Sequence, residues 1–446
     1  MGKQFYYFLF STLIVLALCT TQIMGNTLLI LACLALFLVL IGLGCIGNFT
    51  LPILLFFLPW SPILRTSPDN FSFFTFALVL VCFISVIKKK FRFKRYHVVT
   101  AIVLTGLSLF SKLLDGNGLS FNYFAFMMLI LLFPVVKEEW KGQEYDFFHI
   151  VTFLSAGIII AALCAMNFAV YPNIAQFIKV DAYLTIIRRC GFYGDANFYT
   201  AQITAAMAGC FALILKEPKK SRVFLLALLL VFLIYCGFLS GSKSFVLIAL
   251  CILAVWLISF VKMRGRVALK VLLMIGLLLL IIYIVTSAVF SELINVLVTR
   301  FSYSNDLDSF TTGRTELWDN YMKQLLSSTK TFFLGMGYTN VKINDRGSHS
   351  TLIQSLYQFG LLGVPLIIFW MICFFRDTEN PDKTKRKFTL NVLMLLIGTF
   401  LPWFAIDILF FDEFFLLQWY IFIALQQPEL RGINTLEDTY GQESKE

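Results

Sequence analysis

The sequence predicts an all-α polytopic membrane protein with about 12–14 transmembrane helices and one long polar loop that contains an amphipathic helix. Three observations carry this. The chain is 59% hydrophobic and 14% charged, with a mean hydropathy of +0.82; soluble domains run at about 45–50% and about 25%. Apolar runs long enough to cross a ~30 Å hydrocarbon core recur along the whole length. Lysine and arginine cluster in every second loop, as they do on the cytoplasmic side of membrane proteins.

The candidate spans of the N-terminal region, residues 1–170, are Phe5–Met24, Thr27–Gly44, Ile46–Trp60, Phe71–Ile87, Val98–Phe110, Phe121–Val136 and Phe147–Val170. Phe5–Met24 lacks a small-residue cleavage site followed by a soluble domain, so it reads as the first span and not as a signal peptide. Ile46–Trp60 is short and ends at Pro59, which makes it either re-entrant or continuous with its neighbour. A core over residues 171–375 adds Phe198–Leu215, Val223–Leu239, Phe245–Phe260, Val271–Val289 and Leu352–Phe375. A hairpin over 376–425 holds Phe388–Phe404 and Phe414–Leu425, and a polar tail of mixed charge, 426–446, is expected to be unstructured in the cytoplasm.

Orientation follows from the charge. Lys88 to Arg95, Lys216 to Arg222, Lys262 to Lys270 and Arg376 to Lys387 are the basic loops assigned to the cytoplasm. The loops 61–70, 111–120, 171–197, 240–244 and 290–350 are then external. The net charge of +10 is accounted for by these topological signals and implies no nucleic-acid partner. Most of the 10 cysteines lie inside apolar runs, with no Cys-x-x-Cys and no Cys/His ligand spacing, which argues against a disulfide framework or a zinc site. Span interiors carry almost no charge and no internal repeat is visible. Both count against a secondary transporter, whose coupling needs ionisable groups at mid-membrane and which is commonly built from repeats.

Two predicted external loops carry more positive charge than the topological bias favours. Loop 171–197 holds Lys179, Arg188 and Arg189; loop 290–350 holds Arg300, Arg314, Lys323, Lys330, Lys342 and Arg346. Neighbouring acids could balance them, or they could grip an anionic ligand, since guanidinium forks match phosphate in bidentate fashion. After Arg314, residues Leu317, Trp318, Tyr321, Met322, Leu325 and Leu326 recur at helical spacing. They describe an amphipathic helix at the membrane interface with Trp318 at headgroup depth. Arg314 falls in its first turn, where the helix dipole disfavours a cation. Either it binds an anion together with free N–H groups, or it pairs with Glu316 or Asp319. His349, one of 3 histidines, opens the span Leu352–Phe375. A neutral ring there could serve as a general base toward a hydroxyl, or simply hydrogen-bond a loop. Asp195 and Asn197 are candidate caps of the span that follows them, and Ser240-Gly241-Ser242-Lys243 forms the tight turn of a helical hairpin.

In order along the chain these motifs resemble the O-antigen polymerase and O-antigen ligase superfamily of bacterial membrane enzymes. The matching pieces are Arg188 through Asn197, with Ala196 where proline is usual; Ser240 through Lys243, with lysine in place of arginine; Gly313-Arg314 with Trp318; Gly335-x-Gly337; and His349 followed by Gly360-x-x-Gly363. Leu51-Pro52 to Pro59-Trp60-Ser61-Pro62 also looks like capsule and exopolysaccharide repeat-unit polymerases. Ser350 stands where the ligases commonly have asparagine, which favours polymerase over ligase.

The resemblance implies a glycosyltransferase that takes a glycan from a polyprenyl (undecaprenyl) pyrophosphate and joins it to a sugar hydroxyl, on the outer face of the bacterial cytoplasmic membrane. Its partners would be the lipid-linked oligosaccharide, the growing polysaccharide, and chain-length regulator and flippase proteins. His349 would be the catalytic base. Arg188, Arg189, Lys243, Arg314, Asp195 and Asn197 would bind substrate, with neither metal nor other cofactor. Asp407, Asp412 and Glu413 form a second possible source of the base. The alternatives are ligase-type transfer to a terminal acceptor, and a transporter or flippase of the same lipid-linked sugars.

Overall fold

The computed structural model describes residues 2–89, 93–114, 121–139, 145–178, 181–183, 186–262, 313–338, 346–376, 389–410 and 412–427, with single positions between and after them. The protein is an all-α, multi-pass membrane protein. Among the described residues eight helices are long and apolar enough to cross a bilayer: Lys3–Met24, Thr27–Ile46, Arg95–Leu114, Phe147–Phe168, Ala196–Ile214, Lys220–Leu239, Lys243–Lys262 and Thr351–Phe375. Shorter apolar helices occupy Thr50–Trp60, Phe73–Lys88 and Leu390–Phe404, and further helices run over Phe121–Leu132 and Asp412–Gln426. Each expected span thus coincides with a helix except Val271–Val289, which lies outside the described residues, as does the tail from 431 onward.

One detail narrows an expectation and another adds to it. Of the two readings of Ile46–Trp60, the structure removes continuity with its neighbour and is compatible with the re-entrant one. The chain breaks at Gly47–Phe49 and restarts as Thr50–Phe57, which tightens into a 3-10 turn over Leu58–Trp60, and every residue of it is buried. A helix too short to cross lipid is stable at such depth when protein surrounds it. Loop 171–197 also holds a small antiparallel hairpin, Asp181–Tyr183 with Ile186–Arg188, in which Asp181 is paired with Arg188.

The bundle is organised around Ala196–Ile214. Of its apolar window 83% is buried, against 17% for Lys243–Lys262. The cause is side-chain size. Between helices in lipid there is little hydrophobic drive, and close backbone approach through small residues supplies the attraction instead. This helix presents Ala201, Ala205, Ala206, Ala208, Gly209 and Ala212. Tyr420 packs over Gly209 and donates its hydroxyl to the Ala205 carbonyl at 2.9 Å. Thr204 donates to the Gly398 carbonyl at 2.8 Å. Lys243–Lys262 instead turns Leu247, Leu250 and Ile258 outward, the surface expected of a helix facing acyl chains.

A second close approach sits under the polar loop. Gly335 and Gly360 both have positive φ, 69° and 63°. A Cβ on Gly335 would lie 2.5 Å from the Gln358 carbonyl carbon and 2.6 Å from Gly360 N, and one on Gly360 would lie 2.5 Å from Gly335 N. Glycine is needed at both positions for space and for conformation. Gly360 interrupts the helical backbone of Thr351–Arg376 there. Met336 N–H donates to the Tyr357 carbonyl at 2.8 Å, and Ser111 Oγ donates to the Gly335 carbonyl at 2.6 Å. The Gly335-x-Gly337 motif is therefore a packing joint between helices Arg95–Leu114 and Thr351–Arg376.

Candidate functional site

Three separate stretches build the polar centre. The first is the hairpin strand ending at Arg188. Arg188 is buried, and its Nε donates to the Ser240 carbonyl at 2.9 Å. The Arg189 N–H donates to the Leu239 carbonyl at 3.1 Å. The Arg188 guanidinium thus meets a carbonyl at the C-terminal end of helix Lys220–Leu239, where carbonyls lack partners within the helix and attract positive charge, while Arg189 meets the same end through its backbone alone. Asp195 caps the next helix: its Oδ1 accepts the N–H groups of Asn197 at 2.7 Å and Phe198 at 3.4 Å. Asn197 Oδ1 accepts the hydroxyls of Ser242 at 3.0 Å and Ser244 at 2.9 Å. The turn that carries Lys243 is tied by these bonds to the start of the central helix.

The second stretch is the helix Arg314–Leu325, opened by Gly313. Its apolar face, Leu317, Tyr321 and Leu325, is buried, with Leu317 and Tyr321 packed against Tyr357. Its apolar stripe therefore rests on protein. Trp318 is likewise engaged with protein: its Nε1 donates to the Ser348 carbonyl at 2.8 Å. Asp319 pairs with Lys323 at 2.5 Å, which leaves the reading of Arg314 as an Asp319 partner without support.

The third stretch is the loop 346–351. Tyr321 donates its hydroxyl to the Arg346 carbonyl at 2.9 Å, Ser348 N–H donates to Gln354 Oε1 at 3.2 Å, and Ser348 Oγ donates to the Ser350 carbonyl at 2.9 Å. These bonds hold His349 at φ 50°. A non-glycine residue adopts this left-handed conformation at a cost and keeps it only when its surroundings enforce it. The helix begins at Thr351, two residues later, so His349 precedes the first turn and does not open it. Thr351 Oγ donates to the Ile406 carbonyl at 2.6 Å and accepts Ile408 N–H at 3.1 Å. These bonds bring Asp407 beside the loop, where a Cβ on Gly347 would stand 3.0 Å from Asp407 Oδ2.

The three stretches meet electrostatically. Burial lowers the pKa of Arg314, and the Arg188 guanidinium lowers it further, while Asp195 and Asp407 act against both. Burial also lowers the pKa of His349, assisted by Arg314 and Arg346 and opposed by Asp195 and Asp407. The imidazole is therefore neutral at pH 7, from desolvation and neighbouring guanidinium groups. Its Nδ1 is sealed from solvent with no hydrogen-bond partner among the described residues, while the residue as a whole stays half-exposed. Nε2 is the nitrogen open to chemistry.

Of the residues predicted from sequence, the structure gathers Arg188, Asp195, Arg314 and His349. It leaves the Arg189 side chain exposed and gives Asn197 a bracing task, with Oδ1 already occupied by two serine hydroxyls. Lys243 sits half-buried at the start of its helix beside that brace. Arg346 was expected only as one of several loop cations and Asp407 only as an alternative base; both act on His349. Their signals were the excess of positive charge in loop 290–350 and position, Arg346 three residues before the histidine and Asp407 near the end of a span.

No family model, no curated protein and no solved structure matches the chain. What fold and site define together is a multi-pass membrane protein with a cationic, histidine-bearing centre assembled from distant loops.

Proposed function

We propose that the protein is a membrane glycosyltransferase that polymerises polyprenyl-pyrophosphate-linked oligosaccharide repeat units into a capsular, exopolysaccharide or O-antigen-like chain, working at the outer face of the cytoplasmic membrane. The observation that carries this reading is the meeting of two mutually repelling guanidinium groups, Arg188 and Arg314, with a neutral His349. Gathering like charges where solvent is scarce is unfavourable until an anion enters, and such perturbed groups concentrate at functional sites. A pyrophosphate diester offers that anion, and its negative charge grows as the glycosyl bond breaks, so the arginines stabilise the transition state more than the ground state.

In this reading His349 Nε2 takes the proton from the acceptor hydroxyl as the hydroxyl oxygen attacks the anomeric carbon. The carbon–oxygen bond to the pyrophosphate breaks, and the leaving group departs as the lipid pyrophosphate anion held by Arg188 and Arg314. Asp195 and Asp407 stabilise the imidazolium so formed. The resemblance of the ordered motifs supplies the substrate class; the geometry supplies the division of labour.

The test is reconstitution of the purified protein in vesicles with a lipid-pyrophosphate-linked repeat unit. A ladder of lengthening products on the carrier is expected, and it should vanish with His349→Ala and Arg314→Ala. A single transfer to a non-carrier acceptor would make the enzyme a ligase. Movement of the lipid-linked unit across the bilayer without any joining would overturn the enzyme reading.

A further inference from the structure

Beside the cationic centre lies a second polar cluster that the proposed chemistry does not use. Glu413 is 3% exposed, in the first turn of helix Asp412–Gln426. Its Oε1 meets the hydroxyl of Tyr193, two residues before Asp195. The same hydroxyl lies 2.9 Å from the Leu58 carbonyl and 3.1 Å from Ser61 Oγ. Gln202, fully buried on the central helix, lies near this hydroxyl, but neither its Nε2 nor its Oε1 has a hydrogen-bond partner among the described residues. Arg65 and Asp412 are the charged groups close enough to influence Glu413, and among the described residues no ion pair reaches it. Asp412 itself is bonded to Thr75 Oγ.

Counting protons decides the state of this cluster. A tyrosine hydroxyl has one proton to give, and a backbone carbonyl can only accept. If Glu413 were ionised, Tyr193 would give its proton either to Glu413 or to Leu58. The other pair of oxygens would then face each other with nothing between them, and a buried carboxylate would stand without an ion-pair partner among the described residues. All contacts are satisfied at once when Glu413 donates to Tyr193, Tyr193 donates to the Leu58 carbonyl, and Ser61 donates to Tyr193.

We infer that Glu413 is a neutral, hydrogen-bond-donating carboxylic acid which, through Tyr193, pins the segment carrying Arg188 and Asp195 to the buried turn Leu58–Ser61, and so acts as a positioning residue for the cationic centre. The positioning role rests on the glycosyltransferase reading; the protonation state and the strut do not. Glu413 is thereby excluded as a base, because its proton is already committed outward.

The experiment combines a spectrum with a rescue series, on the full chain in lipid nanodiscs. In the infrared difference between wild type and Glu413→Gln at neutral pH, the band of a protonated carboxyl is expected to disappear in the variant. A carboxylate band disappearing in its place overturns the inference. In the polymerisation assay Glu413→Gln, whose amide N–H can replace the acid proton, is expected within about twofold of wild type, while Tyr193→Phe and Glu413→Ala fall about tenfold in kcat with KM little changed, the scale of one lost buried hydrogen bond. A folded but inactive Glu413→Gln overturns the neutral-donor role. Should the wild type join no glycans, the glycosyltransferase reading fails, yet the spectrum still reports on Glu413. The thermal midpoint then tests the strut: lowered in Tyr193→Phe and unchanged in Glu413→Gln if it exists, equal in the two variants if it does not.

Discussion

The cationic centre and the Tyr193–Glu413 cluster are close in sequence at both ends, Asp195 against Tyr193 and Asp407 against Asp412, but they obey opposite rules. Around Tyr193 the contacts with Glu413, Leu58 and Ser61 each find a donor and an acceptor once Glu413 keeps its proton. Around His349 the balance is poor: Nδ1 has no partner among the described residues, the histidine backbone is in the left-handed region, and Arg188 and Arg314 repel. A satisfied buried network holds a shape, whereas an unsatisfied charged one waits for something to complete it. The contrast fits the proposed division, with binding and chemistry at the first centre and geometry at the second.

The largest effect that would break this comparison is loss of the histidine. His349→Ala should lower polymer formation by about 10²–10⁴-fold, the range for a positioned general base, with the variant still folded; near-normal product length would remove His349 from the chemistry. Arg314→Ala should cost about 10²–10³-fold in kcat, as for other lost donors to a developing anion, and Arg314→Lys should recover only part because it lacks the fork. Gly360→Ala and Gly335→Ala should act on the scaffold, lowering stability by about 1–3 kcal/mol through overpacking and strain, seen as a lower melting midpoint in nanodiscs.

The smallest effect concerns pH. His349 titrates below the ordinary histidine value of about 6.5, so the neutral base persists through neutrality and the rate falls only on the acid side of that value. Arg346→Ala removes a cation that depresses this pKa and should move the acid limb of kcat/KM to higher pH, by less than about one unit because Arg346 is exposed and screened. A shift in the opposite direction would mean that another group sets the limb. The same displacement links to stability: the unfolded chain protonates this histidine more readily, so the contribution is present above pH of about 6.5 and is lost below it.

What could be read from the sequence was whatever repeats or stands alone. Apolar runs recur, so the spans could be placed. Arg188, Arg314 and His349 each stand at the edge of such a run, so their gathering at one centre could be anticipated from topology. The amphipathic stripe after Arg314 looks the same whether it rests on lipid or on a neighbouring helix; only the packing of Leu317 and Tyr321 on Tyr357 tells the two apart. Tyr193 and Glu413 are 220 residues apart, and no periodicity or local spacing records such a meeting. Asn197 was assigned to the substrate through the resemblance alone, and no local spacing records that its oxygen accepts from Ser242 and Ser244, some 45 residues on.

The joint at Gly335 and Gly360 has one more consequence. Two chains that touch backbone to backbone behave like meshed gear teeth: neither can slide along the other by a fraction of a turn without collision. Helix Thr351–Arg376 is thereby indexed against Arg95–Leu114, and the height of the loop above it is set from below. The position of His349 relative to the arginines is thus a dimension of the scaffold, fixed by two missing methyl groups some ten residues along the chain.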